Sequence, residues 1–165
     1  MRLTCVLFLL FFMTGVKPCA AQDYHLSGNE VRILKPVLFE TGTARLKPES
    51  DITLAIIKKY LDDKRYISLL RVECHTDNSG DATFDQLLSE QQALSVCRAL
   101  AGIGVDCKRL IATGFGSKKP LDSNDTPDGK AINRRVSFIN AALLGRPIGG
   151  MPVDGGGSIA GDPCK

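Results

Sequence analysis

The sequence predicts an α+β fold, a two-layer α/β sandwich with the order β-α-β-α-β-β and a mixed four-stranded sheet. Four segments rich in Val, Ile, Leu and Phe have the length of strands, and amphipathic segments separate the first three of them. A long polar loop joins the last two. Of the 165 residues, 44% are hydrophobic and 24% charged, a balance typical of globular chains that excludes disorder of the whole chain.

Apolar spacing and prolines place the first strand and the first helix. The strand covers residues 31–39, and Pro36 marks an edge position or a break in it, because proline donates no hydrogen bond to a sheet ladder. The helix begins at Pro48, a residue type favoured in the first helical turn, and ends near Asp63. Its apolar side chains recur at helical spacing and predict one buried face. They are Leu54, Ile57 and Leu61.

The rest of the domain is predicted to alternate apolar strands with polar loops around one long helix. We expect strands at residues 66–74, 110–115 and 135–141, the helix at 82–101, and loops at 75–80 and 116–130. Gly102 and Gly104 end the helix. Its apolar stripe predicts packing on the sheet. The stripe comprises Leu88, Ala93, Val96 and Leu100.

The first 21 residues are predicted to form a signal peptide. Arg2 supplies a positive start, residues 5–13 form an unbroken apolar run, and Cys19-Ala20-Ala21 offers small residues for cleavage. The run is too short for a hydrocarbon layer about 30 Å thick, which takes about 20 residues to cross, so a retained membrane anchor is disfavoured. Acylation of Cys19 is a further alternative, which the preceding Lys17-Pro18 disfavours.

Three further segments are predicted after the signal peptide. Residues 22–30 form a short N-terminal segment, residues 31–141 the folded domain, and residues 142–165 a flexible tail rich in Gly and Pro. The chain has 21 basic and 18 acidic side chains, and loss of Arg2 and Lys17 with the signal leaves 19 against 18. Such near neutrality gives no electrostatic reason to bind nucleic acid.

The cysteines of the exported chain are predicted to form disulfides, because export leads to an oxidising compartment. Four cysteines allow three connectivities. Cys97 and Cys107 are the closest pair in sequence and are the candidate disulfide, which would leave Cys74 to pair with Cys164. The alternative is that Cys97 is a small buried apolar residue, since free cysteine packs like one.

The residues do not predict an enzyme, a metal site or a cofactor site. Cys74, His75 and Asp77 suggest a catalytic group, but neighbours in a strand point to opposite faces, so Cys74 and His75 do not easily meet. His25 together with these three residues lacks the spacing of metal-ligand pairs. Gly114-x-Gly116 follows a strand without a helix after it and indicates a turn rather than a phosphate site.

A binding pocket is predicted at one end of the sheet, where polar side chains from three elements are expected to converge. These are Thr76 and Asp77 after the second strand, Asp85 and Gln92 on the long helix, and Asn133 and Arg134 at the entry of the fourth strand. The alternative for the last two is that they only cap and solvate the strand entry.

Several spaced motifs resemble the OmpA-like C-terminal domain. They include His75-Thr76-Asp77-Asn78-Ser79-Gly80-Asp81, Leu88-Ser89-Glu90 with Ala93, Gly114-Phe115-Gly116 and Asn133-Arg134-Arg135-Val136. The resemblance covers residues 31–141. It implies a non-enzymatic domain that binds peptidoglycan without covalent attachment, with Asp77 against the ammonium of diaminopimelate in the wall peptide. It also implies a place in the periplasm or outer membrane of a Gram-negative-type bacterium.

The sequence departs from the family pattern at the pocket. Gln92 occupies the position of a family arginine that holds the ligand carboxylate, Asp85 that of an asparagine, and Cys74 that of a glycine. A neutral amide offers weaker donors than an arginine fork, so binding is expected to be weaker or of altered specificity. Arg134 or Arg135 is a substitute cation. The alternative function is a structural or protein-interaction module, with other envelope proteins as partners, that keeps the fold without wall binding.

Overall fold

A computed structural model describes residues 23–151 and 154–165. The predicted signal peptide at residues 1–21 lies outside the described residues. Single 3-10 turns occupy Pro48–Ser50 and Cys107–Arg109. The other elements are β1 Tyr24–Ser27, β2 Glu30–Ile33, α1 Asp51–Asp63, β3 Ile67–His75, α2 Ala82–Gly102, β4 Leu110–Gly116, α3 Pro127–Asn133, β5 Arg135–Leu143, β6 Arg146–Pro147 and β7 Ser158–Ile159.

The strands form one mixed sheet in the order β1-β2-β5-β3-β4-β7, with β6 paired to β5. β3 and β4 run parallel, and β3 and β5 run antiparallel with Val72 opposite Phe138. The α/β architecture and the mixed sheet are therefore confirmed. Within residues 23–151 and 154–165 the sheet has seven strands rather than four, because the sequence does not predict the short β1, β6 and β7. The first predicted strand is also too long, since β2 ends at Ile33 and Phe39 makes only an isolated bridge to Leu46.

Both long helices pack on one face of the sheet, as their apolar stripes predict. Ile57 and Leu61 of α1, Val96 and Leu100 of α2, and Leu70 of β3 are completely buried together in the core. The helix over residues 82–101 is confirmed to within one residue. α2 begins where it does because Asp81 caps it, its carboxylate accepting hydrogen bonds from the amides of Thr83 and Phe84.

Two elements, β1 and α3, fall in stretches where the sequence predicts neither a strand nor a helix. The hairpin of β1 and β2 turns at Gly28, whose φ of 58° favours glycine. α3 lies at the end of the predicted loop 116–130, with Thr126 as its cap and Pro127 in its first turn. Both segments are short and mostly polar, so they lack the apolar periodicity by which helices and strands are recognised.

The prediction of a flexible tail from residue 142 is wrong for the residues that the structure describes. β5 continues to Leu143, and β7 pairs antiparallel with β4, so that Thr113 lies opposite Ile159. Ala160 is buried, and its amide donates to the carbonyl of Ala112 at 2.9 Å. Gly157 lies against Phe115 on the sheet face away from the long helices, because a Cβ there would be 2.7 Å from the ring.

The disulfide joins Cys107 to Cys164, with their Cα atoms 5.3 Å apart. The predicted Cys97–Cys107 pair is wrong, and so is the Cys74–Cys164 pair that would accompany it. Cys97 and Cys74 are completely buried free thiols of the core, and burial raises the pKa of Cys97 to about 12. Cys97 faces inward from α2, whereas Cys107 precedes β4 where the end of the chain can reach it. The buried apolar role weighed for Cys97 is therefore correct.

Candidate functional site

A cavity of about 310 Å³ lies at the carboxyl end of β3. The loop after β3, the first three turns of α2 and the start of β5 form three of its walls, and residues 37–42 form the fourth. It contains five of the six residues predicted to converge there, namely Thr76, Asp77, Asp85, Gln92 and Arg134. The sequence prediction did not include this fourth wall in the site. The sequence signal for it was the turn at Gly42, whose φ of 69° requires a residue such as glycine.

Asp77 is a buried carboxylate held from two sides. Its Oδ1 accepts a hydrogen bond of 2.8 Å from the amide of Ser79, and its Oδ2 accepts one from the guanidinium of Arg134. Burial acts to raise the pKa of Asp77, but the bonds from Arg134 and Ser79 outweigh burial and hold the pKa below its ordinary value. Asp77 is therefore an anion at neutral pH.

Asp85 is the second carboxylate of the cavity and is only 6% exposed. Its Oδ2 has no hydrogen-bond partner among the described residues. Burial raises the pKa of Asp85 above its ordinary value, and the negative charges of Asp77 and Asp81 raise it further. Asp85 also touches the loop after β3, since a Cβ on Gly80 would lie 2.7 Å from its Oδ1.

Backbone carbonyls accept hydrogen bonds from the side chains of Gln92 and Arg135, while Nε of Arg135 is buried without a partner among the described residues. The Nε2 of Gln92 donates to the carbonyl of Thr43 at 2.9 Å, which ties α2 to the segment that forms the fourth wall. The guanidinium of Arg135 donates to the carbonyls of Lys119 and Asn133 at 3.0 and 3.3 Å. Of the two predicted substitute cations, Arg134 is the one that pairs with a carboxylate of the cavity, that of Asp77.

Asn133 was predicted to belong to the site, but it does not line the cavity. Its side chain is completely buried and organises the loop before α3. Its Oδ1 accepts from the amides of Leu121 and Asp122 at 2.7 and 3.0 Å, and its Nδ2 donates to the carbonyl of Asp122 and to Oδ1 of Asn124 at 2.8 and 2.9 Å. The side chain thus has a structural role at the entry of β5.

Cys74 and His75 lie on opposite faces of β3, as strand alternation requires. Cys74 is completely buried in the core under the helices, and burial raises the pKa of its thiol well above the ordinary value. His75 stacks on Phe115 on the other face, with ring centroids 5.0 Å apart. The two side chains therefore do not form a nucleophile and base pair. Residues 23–151 and 154–165 contain no group of three or more His, Cys, Asp or Glu that could hold a metal ion.

Comparison with known proteins places these features in one family. The sequence profile of the OmpA family matches residues 38–134. The outer-membrane lipoprotein YfiB of Pseudomonas aeruginosa is 38% identical over 112 residues, which cover 68% of this chain and 66% of the relative. The probable lipoprotein YiaD of Escherichia coli is 38% identical over 120 residues, which cover 71% of this chain and 54% of the relative.

Solved structures agree on the fold. A putative MotB-like protein from Desulfovibrio vulgaris is 30% identical with a TM-score of 0.59, over 67% of this chain and 70% of that one. The peptidoglycan-associated lipoprotein from Burkholderia pseudomallei is 23% identical with a TM-score of 0.57, over 64% of this chain and 88% of that one. No helix in the described part of the chain is long and apolar enough to span a membrane. The family profile matches more than half of the length of this chain, and the chain therefore belongs to the OmpA family.

Proposed function

We propose that the chain is a non-catalytic module of the cell envelope that binds peptidoglycan, and that Asp77 receives the ammonium of diaminopimelate in the wall peptide. The observation that carries this proposal is a buried anionic carboxylate inside a cavity of about 310 Å³. A volume at the low end of small-molecule sites suits one amino-acid side chain rather than a disaccharide. Relatives support the partner: one solved structure is named a peptidoglycan-associated lipoprotein, and another the cell wall anchor of a Pseudomonas aeruginosa secretion system.

The carboxylate of Asp77 keeps acceptor capacity for a ligand. A carboxylate has about four lone-pair sites, and Ser79 and Arg134 use two of them. An ammonium group carries three donors and no acceptor, so it joins Asp77 without displacing either neighbour. Arg134 holds the carboxylate in place, and its guanidinium is still largely exposed at the rim of the cavity.

The site of action is the periplasm or the outer membrane. One relative named as an outer-membrane lipoprotein and another named as an outer membrane porin support this location. The predicted export signal at residues 1–21 agrees with it. A lipid anchor is not favoured, because Lys17 and Pro18 precede Cys19.

Sedimentation with purified peptidoglycan tests the proposal. Asp77→Asn keeps the size of the side chain and removes its charge, so affinity is expected to fall about tenfold to a hundredfold, the loss for one charge-assisted bond. Asp63→Asn makes the same charge change at the far end of α1 and is expected to bind like wild type. Equal binding by wild type and Asp77→Asn would contradict the assignment of the cavity.

The second candidate function is a protein-interaction module that keeps the fold without wall binding. It is favoured by exposed apolar side chains around a second hollow, of about 530 Å³, between β2 and α3. Leu34 is 88% exposed there, Leu121 65% and Ile132 48%. Absence of wild type from the peptidoglycan pellet, together with loss of envelope partners on Leu34→Ser, would place this function first.

A further inference from the structure

The cavity is lined by three carboxylates, those of Glu40, Asp77 and Asp85, and by two guanidinium groups, those of Arg134 and Arg135. The guanidinium of Arg134 is paired with Asp77. Asp85 is 6% exposed, and its Oδ2 has no hydrogen-bond partner in the described part of the chain. The hydroxyl of Thr76, in the same lining, is also buried without a partner. Buried polar atoms are rarely left unpaired, so these two oxygens indicate a place for a donor from outside the chain.

The cavity offers a ligand carboxylate one unpaired donor among the described residues, the buried Nε of Arg135. The side-chain Nε2 of Gln92 donates to the carbonyl of Thr43. The two Nη atoms of Arg135 donate to the carbonyls of Lys119 and Asn133. A carboxylate entering between Asp77 and Asp85 would meet two like charges, which disfavours it electrostatically. The arrangement thus rejects the acidic end of a zwitterion while it attracts the basic end.

We infer that Asp85 is a second ligand-binding carboxylate, and that it makes the cavity select diamino acids whose side chain ends in an ammonium without a free carboxylate beside it. The class comprises amidated diaminopimelate, lysine and ornithine. The inference rests on the proposed function and names the ligand class of the same site. The three donors of one ammonium match three acceptors of the lining, namely Asp77, Oδ2 of Asp85 and the hydroxyl of Thr76.

The position of Asp85 is set by the fold, which makes it a defined contact. Asp81 caps α2, and Asp85 follows it by one helical turn, so its side chain lies over the loop after β3. Its carboxylate lies against that loop, since a Cβ on Gly80 would be 2.7 Å from Oδ1 and 3.0 Å from Oδ2, and Oδ2 has no hydrogen-bond partner among the described residues. An asparagine at residue 85 would have the same shape without the charge.

Titration calorimetry with two peptides tests the inference. Both have the sequence L-Ala-γ-D-Glu-diaminopimelate, and they differ only in whether the side-chain carboxylate is free or amidated. We expect wild type to bind the amidated peptide about tenfold more tightly, the value of one charge-assisted contact. A peptide with lysine in place of diaminopimelate is expected to behave like the amidated one. These comparisons use wild type alone and so do not depend on the folding of a variant.

Asp85→Asn is expected to remove this preference. Affinity for the amidated peptide should fall about tenfold, while affinity for the free carboxylate stays level or rises because the repulsion is gone. Asp63→Asn, with the same charge change outside the cavity, should keep the wild-type ratio. Circular dichroism checks that each variant is folded.

The outcomes separate this inference from the proposed function. If wild type sediments with peptidoglycan in an Asp77-dependent way but prefers the free carboxylate or neither peptide, the role of Asp85 is overturned and wall binding stands. A preference that survives Asp85→Asn also overturns it. If wild type binds neither peptidoglycan nor any of the peptides, the proposed function fails and the inference fails with it.

Discussion

Removal of the Cys107–Cys164 disulfide is expected to lower the free energy of unfolding by about 4 kcal/mol. The bond joins residues 57 positions apart. In the chain-entropy relation, a closed loop of that length removes about 14 cal/mol/K from the unfolded chain, which is about 4 kcal/mol at room temperature. A bond between Cys97 and Cys107 would close a much shorter loop and stabilise by about 3 kcal/mol or less.

The disulfide also holds a segment that has few other contacts with the sheet. β7 pairs with β4 over only two residue pairs, and the amide of Ala160 adds one hydrogen bond to Ala112. Without the covalent link, this short strand is expected to detach before the rest of the domain unfolds. Phe115, completely buried beneath Gly157, would then become accessible.

Urea unfolding of wild type and of the double variant Cys107→Ser with Cys164→Ser measures the loss. The free energy of unfolding of wild type should fall when reductant is added. That of the double variant, the matched control, should not change. Hydrogen exchange should show faster exchange at Ala160 in the variant. A difference in stability below about 0.5 kcal/mol would refute the reasoning. Non-reducing peptide mapping that found Cys97 in a disulfide would refute it too.

Three further changes test the packing, the pH response and the cavity. Gly114→Ala would place a Cβ 2.4 Å from the amide nitrogen of Glu90, so it is expected to cost about 1–3 kcal/mol in urea unfolding. Gly102→Ala, with nothing within 4 Å, is the control, and an equal loss in both would contradict the close approach of α2 to β4. Burial lowers the pKa of His75, although the carboxylate of Glu73, 3.6 Å from its Nε2, acts to raise it. Its contribution to stability is therefore present above about pH 6.5 and lost as the pH falls through its lowered folded pKa. His75→Gln should weaken the dependence of the free energy of unfolding on pH in that window. An unchanged pH dependence would count against this assignment. Gln92→Arg restores a cationic fork and should raise affinity for the free-carboxylate peptide about tenfold in calorimetry. Unchanged affinity would show that the fork does not reach the ligand.

Local pattern was sufficient for the main elements of this chain. The i, i+3, i+7 spacing of Leu54, Ile57 and Leu61 predicts α1, and the stripe of α2 predicts the face that packs on the sheet. The polar loop after β3 and the polar turn of α2 that follows it share one end of the sheet, so the convergence of Asp77 and Asp85 could also be predicted. Each of these features depends on residues close in sequence, whose spacing is visible without the fold.

Pairings between distant residues were decided by the tertiary structure. The disulfide partner of Cys107 depends on where the end of the chain pairs with the sheet. The strand that sets this position, β7, has two residues and several glycine neighbours, so no periodic pattern in the sequence predicts it. Arg134 reaches Asp77 across 57 positions only because β5 lies beside β3. The side chain of the neighbouring Asn133 points instead toward the loop before α3, where backbone groups occupy its hydrogen-bonding atoms. Sequence determined which side chains this protein has at the cavity, and strand order determined which of them meet.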